Sequence, residues 1–359
     1  MSETQPEILF ERRGAAGLVT LNRPQALNAV TLGMVRALTR QLQAWLLDPS
    51  ITRVVVTAAG GRAFSAGGDI RVLYEAGTAG RYDAMLAFYG EEYVLNTIIK
   101  HYPKPYVSLI DGIVMGGGVG VSVHGSHRVA GDRYSFAMPE VSIGFFPDVG
   151  ATWFLPRLPG ELGAYCALTG DRLSAADGMA ATIATHRVSS SRFGDLADAL
   201  CGAVSVDATL AAFAEPAEQP KLGPHRAAID RRFAFDRVED ILAALDVEAG
   251  SGGPFADFAG KTAATIRAKS PTALKIALAQ VRAGARLSFQ ACMQTEFRIV
   301  SRVIHGHDFY EGVRAVIVDK DNTPRWQPAT LSGVTDAEVA RHFAPLGSGE
   351  WTAPDLDRT

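Results

Sequence analysis

The chain has 359 residues, 47% of them hydrophobic and 20% charged. That make-up suits a soluble globular protein with one large domain plus an appendage, or with two domains. A formal net charge of −3 excludes a general attraction to nucleic acid or to an anionic membrane, so an anionic ligand needs a local cluster of positive charge.

Met1 to Gly14 carries Glu3, Glu7 and Glu11 without an apolar core, which is neither a signal peptide nor a transit peptide. Apolar runs all fall short of the roughly 20 residues that span a bilayer. The three cysteines, Cys166, Cys201 and Cys292, are odd in number and far apart, with neither a disulfide framework nor zinc spacing. A cytoplasmic protein is expected.

In chain order, Ile8 to Arg12 and Gly17 to Leu21 read as paired strands across a Gly-containing turn. Thr31 to Leu47 has apolar residues at helical spacing behind a Thr31 cap, and Asp48-Pro49 ends it. RVVVT (Arg53 to Thr57) is a buried strand leading into the loop AAGGRAFSAGGD. Helical patterns follow over Asp69 to Ala76 and Tyr82 to Lys100. YVSLI (Tyr106 to Ile110) is the next strand, and it leads into MGGGVGVSVHG. Strand-like HRVA and YSFAM come next, then the loop PEVSIGFFPDVG. A strand, glycine loop and helix occurring twice predicts an α/β core whose strands feed loops into one site.

From Gly160 the pattern becomes helical. Ser174 caps one helix, Ser190 to Pro224 is looser and Ala-rich, Ser270-Pro271 opens another helix, and Asp308 with Glu311 forms a capping box for a third. The predicted organisation is a core with the active site over 1–190, a peripheral helical segment over 191–260, and a C-terminal helical region over 261–359 that completes the site.

Gly116, Gly117, Gly118 and Gly120 let a backbone approach a ligand and expose N–H groups at a helix start, as an oxyanion pocket or phosphate cradle requires. Tight packing of a helix on a sheet gives the same pattern. A dinucleotide fingerprint fails because Val123 stands where a third glycine is needed, and no P-loop lysine follows. The loop from Phe64 to Asp69 carries the same two readings, the plainer one being a turn with Asp69 at a helix start.

AFSAGGDIR, IDGIVMGGGVGVSVHG and FAMPEVSIGFFPDVGATWFLPRL, in that order, resemble the crotonase (enoyl-CoA hydratase/isomerase) superfamily. With HGHDFYEGVRAVIVDKDNTPRWQP, they are closest to its 3-hydroxyisobutyryl-CoA hydrolase branch. The resemblance implies an α/β fold, a crotonase-like spiral of ββα units with a helical C-terminal region. It implies an acyl-CoA substrate, with coenzyme A entering as part of that substrate and no separate cofactor. It also implies an oxyanion hole from the backbone N–H groups of Ala66 and Gly117, with Gly67, Gly68, Asp69 and Gly116 in the binding loops. Donors of this kind stabilise charge growing on the thioester oxygen.

Hydration of an enoyl thioester benefits from two carboxyl groups. One hydratase position corresponds to Gly120, which has no side chain; the other is Glu140. FPDVG adds Asp148, eight residues beyond Glu140, where hydratases carry a small residue. The resemblance thus implies hydrolysis of a short 3-hydroxyacyl thioester, 3-hydroxyisobutyryl-CoA in valine breakdown. Glu140 serves as general base or nucleophile; Asp148 orients the water or the acyl hydroxyl, or passes a proton to the departing thiolate, orientation being favoured because that thiolate leaves readily. Without the resemblance, Glu140 reads as a helix-start carboxylate and Asp148 as a turn residue. Glu92, in GEEY, is the candidate acceptor for the acyl hydroxyl.

Candidate cations for the coenzyme A phosphates are Arg23 and Arg62, ahead of Arg71, Lys320 and Arg325. Ser122 with His124 and His127 lacks a nucleophile elbow and reads as structural; His305 and His307 read as a helix boundary. Phe145, Phe146 and Trp153 line an acyl pocket or the core. Two alternatives remain, a hydratase or isomerase of the same fold and a noncatalytic acyl-CoA-binding subunit. No metal, nucleic acid or membrane partner is expected; a homo-oligomer is compatible with the sequence.

Overall fold

The computed structural model describes residues 5–216 and 218–355, so Glu3 and the last four positions of the C-terminal region lie outside the described residues. Nine strands form two sheets. The larger contains β1 (Ile8–Arg13), β2 (Ala16–Leu21), β3 (Arg53–Ala58), β5 (Tyr106–Ile110), β7 (His127–Ala130) and β9 (His186–Arg187), in the order β1-β2-β3-β5-β7-β9. The smaller contains β4 (Ala63–Ser65), β6 (Ile113–Met115) and β8 (Ser135–Ala137). Only β1–β2 is antiparallel, with Ile8 opposite Leu21.

The two sheets advance together. Three large-sheet strands are each followed by one small-sheet strand, giving the pairs β3–β4, β5–β6 and β7–β8. Successive pairs stack in parallel, Val55 opposite Val107 and Val114 opposite Phe136. Parallel neighbours need a crossover. The helices Ile70–Thr78 and Tyr82–Lys100 supply it between the first two pairs, and the short helix Gly117–Gly120 begins the next. This is the expected spiral of ββα turns. The sequence reading took β4 and β6 as loop, because three residues are too few to show a period.

The inner strands β3 and β5 are buried on both faces, which explains runs such as VVV. Val54 and Val56 point into the main core, while Val55, Val107, Leu109 and Val129 face the other way. That second face is covered by Leu196, Leu200 and Leu210 from the helices Phe193–Leu200 and Val206–Phe213. The first part of the segment expected to be peripheral is therefore a structural layer.

Helix ends follow their caps. The Thr31 side chain accepts from Met34 N–H, Ser174 and Asp177 form a capping box, and Ser270 with Pro271 opens Pro271–Gly284. The expected Asp308/Glu311 capping box is absent. Gly306 caps His307–Val313 without a side chain. Asp308 instead accepts from Ser270 Oγ at 2.5 Å and Gln327 N–H at 2.8 Å, tying three segments of the C-terminal region together, while Glu311 is held by Arg314. Among the described residues no helix is long and apolar enough to cross a membrane.

Candidate active site

A cavity of about 210 Å³ lies where the ends of β4 and β6 meet the loop after β8. Its wall contains Gly67, Gly68, Gly116 and Gly117 from the two glycine loops, with Glu140 and Asp148 from the third. Glu92 reaches it from the helix Tyr82–Lys100, and Val316 and Ile317 from a π-helical turn, Arg314–Val318, close one side. Such turns recur at functional sites.

Local backbone explains how the loops present their N–H groups. Gly67 has φ +115° and Gly116 has φ +44°, left-handed values that side chains resist. The residues that follow these two turns, Gly68 and Gly117, both line the cavity. A Cβ at Gly117 would stand 3.2 Å from Gly68 N, so the two peptide groups face each other closely. Neither N–H has an acceptor among the described residues.

This corrects the expected oxyanion pair. Ala66 lines the cavity, but its N–H donates to Leu27 O at 3.0 Å. An N–H committed to a buried carbonyl cannot also hold a thioester oxygen at full strength. The free donor is two residues later, at Gly68.

Asp69 is placed differently too. It does not line the cavity; it caps Ile70–Thr78 by accepting from Val72 N–H and pairs with Arg23 Nη2 at 3.0 Å. Arg23 is also paired with Glu7 at 2.8 Å and donates to Ala29 O at 2.7 Å. With its charge balanced by two carboxylates, Arg23 braces this loop and has little left for a phosphate. Arg62 is exposed and outside the cavity wall. Arg71 is tied to the cavity wall, its Nη2 donating to Ile317 O at 3.2 Å.

The carboxyl groups are brought together as expected. Glu92, Glu140 and Asp148 are all buried, at 2%, 7% and 4% exposure, and no Lys, Arg or His lines the cavity with them. Burial, and then the nearby Asp148, hold Glu140 well above the usual carboxylate range. Glu92 is raised by burial and by Asp148 and Glu296. Burial pushes Asp148 up to about 7, against the stabilising hydrogen bond from Tyr93 OH at 3.0 Å. Glu91, by contrast, is partly exposed and paired with Arg36 at 2.6 Å, so the GEEY pair divides between surface and site.

Three polar atoms of the wall are buried without a partner: Tyr89 Oη, Glu92 Oε1 and Glu140 Oε2. Unpaired buried polar atoms at a cavity call for polar groups on the ligand. Tyr89 is stacked on Phe145, 5.5 Å between centroids, and escaped the sequence reading because FYGEEY reads as ordinary amphipathic helix. Phe146 and Trp153 do not line the cavity; Trp153 lies under Arg157 at 3.3 Å. Ser122 Oγ is bonded to Gly118 O at 2.7 Å and His124 Nε2 to Val149 O at 2.7 Å, so both are structural.

At the position corresponding to the other hydratase carboxylate, Gly120 is enclosed. A Cβ there would stand 2.7 Å from Asn96 Nδ2 and 2.9 Å from Val149 Cβ. The missing glutamate has been replaced by packing rather than by open space.

The chain matches the enoyl-CoA hydratase/isomerase family model over residues 16–343. The mitochondrial 3-hydroxyisobutyryl-CoA hydrolase of Danio rerio is 46% identical over 96% of this chain and 91% of its own length. Its counterpart in Homo sapiens is 42% identical over 97% and 91%. Among solved structures, a carnitinyl-CoA dehydratase from Mycobacterium thermoresistibile superposes with TM-score 0.91 at 43% identity, covering 97% of this chain and 99% of that one. An enoyl-CoA hydratase from Rhodobacter sphaeroides 2.4.1 gives 0.89 at 37%, covering 97% and 100%.

Proposed function

The chain belongs to the enoyl-CoA hydratase/isomerase family, and on that premise we propose that it hydrolyses a short 3-hydroxyacyl thioester, 3-hydroxyisobutyryl-CoA, to 3-hydroxyisobutyrate and coenzyme A. The observation that carries this reading is the acidic half of the cavity. Three buried carboxyl groups face the two glycine N–H groups without a cation, and no side chain stands at Gly120.

The chemistry follows from the placement. The thioester oxygen sits between Gly68 N–H and Gly117 N–H, which stabilise it as it gains charge. Glu140 has two routes to the carbonyl carbon. It takes a proton from water as the water oxygen bonds to that carbon, or its own oxygen attacks and water later cleaves the acyl-enzyme. In both, the C–S bond breaks and coenzyme A leaves as a thiolate, which needs little acid assistance. Asp148, fixed by Tyr93, orients the water or the acyl hydroxyl. Two carboxylates sharing one proton suit this division of labour.

Substrate choice follows from the same charges. An acyl group bearing its own carboxylate is repelled, whereas a neutral hydroxyl donates to Glu92. A deoxy acyl group leaves that acceptor unpaired, a difference of roughly tenfold or more in kcat/KM. The names of the aligned hydrolases support the branched 3-hydroxyacyl group, and through it a place in valine breakdown.

Two solved relatives bear dehydratase and hydratase names, which keeps lyase chemistry as the second reading. A panel of short acyl thioesters separates the two. Thiol release from 3-hydroxyacyl substrates above the uncatalysed rate supports hydrolysis. Loss of enoyl absorbance from a crotonyl thioester without thiol supports hydration and removes the proposal.

A further inference from the structure

The loop Pro147–Gly150 is held by side chains from several separate elements. Gln280 Nε2 donates to Pro147 O. Tyr93 OH donates to Asp148 Oδ2 at 3.0 Å. His124 Nε2 lies 2.7 Å from Val149 O; since that carbonyl can only accept, Nε2 carries the proton. Glu296, from the helix Phe289–Val303, accepts from Gly150 N–H at 2.8 Å and from Thr152 N–H at 2.9 Å.

Glu296 is the unusual member. It is 0% exposed, and its two oxygens accept from those two backbone N–H groups. Both oxygens therefore face donors, which favour the ionised form, but burial and then the nearby Asp148 outweigh them and push Glu296 up to about 8. A neutral amide of the same shape could satisfy only one donor and would set its NH₂ against the other. The backbone between these anchors is strained. Val149 has φ +53°, a rare outlier for a β-branched residue, and Gly150 has φ +90°. Strain of this kind persists only where the surroundings over-determine it.

We infer that Glu296 is a positioning residue for thioester cleavage, holding the strained loop that aims the Asp148 carboxyl into the cavity from a helix 148 residues further along the chain. The helical C-terminal region thus reaches the reaction through one buried carboxylate as well as covering the acyl site. This inference rests on the hydrolase reading for its kinetic consequence, although the hold on the loop does not.

Ionisable groups facing Glu296 are Asp148 on the loop, Glu92 and Tyr93 on the helix Tyr82–Lys100, and Cys292 on its own helix. Glu296 in turn disfavours ionisation of Glu92 and Tyr93. A purely structural brace would lower the rate whether or not the Asp148 carboxyl is present.

The test combines Glu296→Gln, Glu296→Asp and Asp148→Asn, singly and as the Glu296→Gln/Asp148→Asn pair. Thiol release is followed against pH, and amide hydrogen exchange over residues 147–154. In Glu296→Gln, kcat should fall on the order of tenfold or more with KM within about threefold, as expected for lost orientation rather than lost binding. Exchange at positions 150 and 152 should accelerate, and Glu296→Asp should recover part of the rate. In the Asp148→Asn background, Glu296→Gln should add almost nothing, since one residue acts through the other. Equal rate losses in both backgrounds, or unchanged exchange at positions 150 and 152 in Glu296→Gln, would overturn the inference. Wild-type protein that releases no thiol removes the hydrolase reading instead, and the exchange result still decides whether Glu296 holds the loop.

Discussion

A single methyl group at residue 117 should disable the site. In Gly117→Ala the added Cβ would stand 2.6 Å from Glu92 Oε1, 3.2 Å from Gly68 N and 3.4 Å from Gly67 C. The Glu92 carboxylate lies at the end of a side chain and can retreat. The Gly67–Gly68 peptide is backbone, held by Val30 N–H on Gly67 O at 2.8 Å, so it cannot move far. The methyl therefore covers one oxyanion donor and displaces the acceptor for the acyl hydroxyl. Loss of one such donor costs about 2.7–4 kcal/mol, or roughly 10²–10³ in rate, while overpacking costs stability by about 1–3 kcal/mol. Gly68→Ala is the internal comparison, because its Cβ would meet only the Phe88 ring edge at 3.3 Å, and it should be the milder change. Thiol release at saturating substrate, with a denaturant midpoint for each variant, makes the comparison. A Gly117→Ala enzyme that keeps kcat within about threefold of wild type would refute the placement of that donor.

Glu140→Gln should lower kcat by about 10²–10⁴ and leave coenzyme A binding intact, as calorimetry with the product would show. A single turnover in ¹⁸O-water then separates the two routes, since only nucleophilic attack leaves label in Glu140. Asp148→Asn tests the raised acid. Its folded value of about 7 lies above the ordinary value of 3.8, so its contribution to stability is present below about pH 4 and lost as pH rises through 7. The asparagine variant should therefore gain more in melting temperature over wild type at pH 8 than at pH 5; an equal gain at both would contradict the shift. Removing this charge also lowers the Glu140 value, so residual activity should appear at lower pH. Gly120→Glu should not create a hydratase. Its Cβ meets Asn96 and Val149 inside 3.0 Å, so a fall in stability of about 1–3 kcal/mol or more is expected, with no gain in enoyl turnover.

How far the sequence carried the account depends on the distance over which each feature is decided. Strands such as RVVVT and the helix Tyr82–Lys100 were legible because their period lies within the segment. The carboxylates were legible because FAMPE and FPDVG stand close together in a motif. Ala66 was misassigned because its N–H is claimed by Leu27, 39 residues earlier, and nothing in AFSAGGD records that bond. Arg23 was ranked for phosphate binding because its partners, Glu7 and Asp69, come from either side of it in the chain. Asp308 looked like a cap by spacing, but Ser270 and Gln327 claim its side chain. Val316, Ile317 and Glu296 belong to helices whose apolar pattern reads as core, so their arrival at the cavity or its loop is a matter of tertiary packing.

The most direct test is the structure of this protein with a non-hydrolysable 3-hydroxyacyl-CoA analogue in which a ketone replaces the thioester. The account predicts the ketone oxygen at about 2.7–3.1 Å from both Gly68 N and Gly117 N, with Glu140 facing the carbonyl carbon and the acyl hydroxyl on Glu92. A ketone oxygen bound by Ala66 N–H, or an acyl group outside the cavity that holds Glu140 and Asp148, would contradict it.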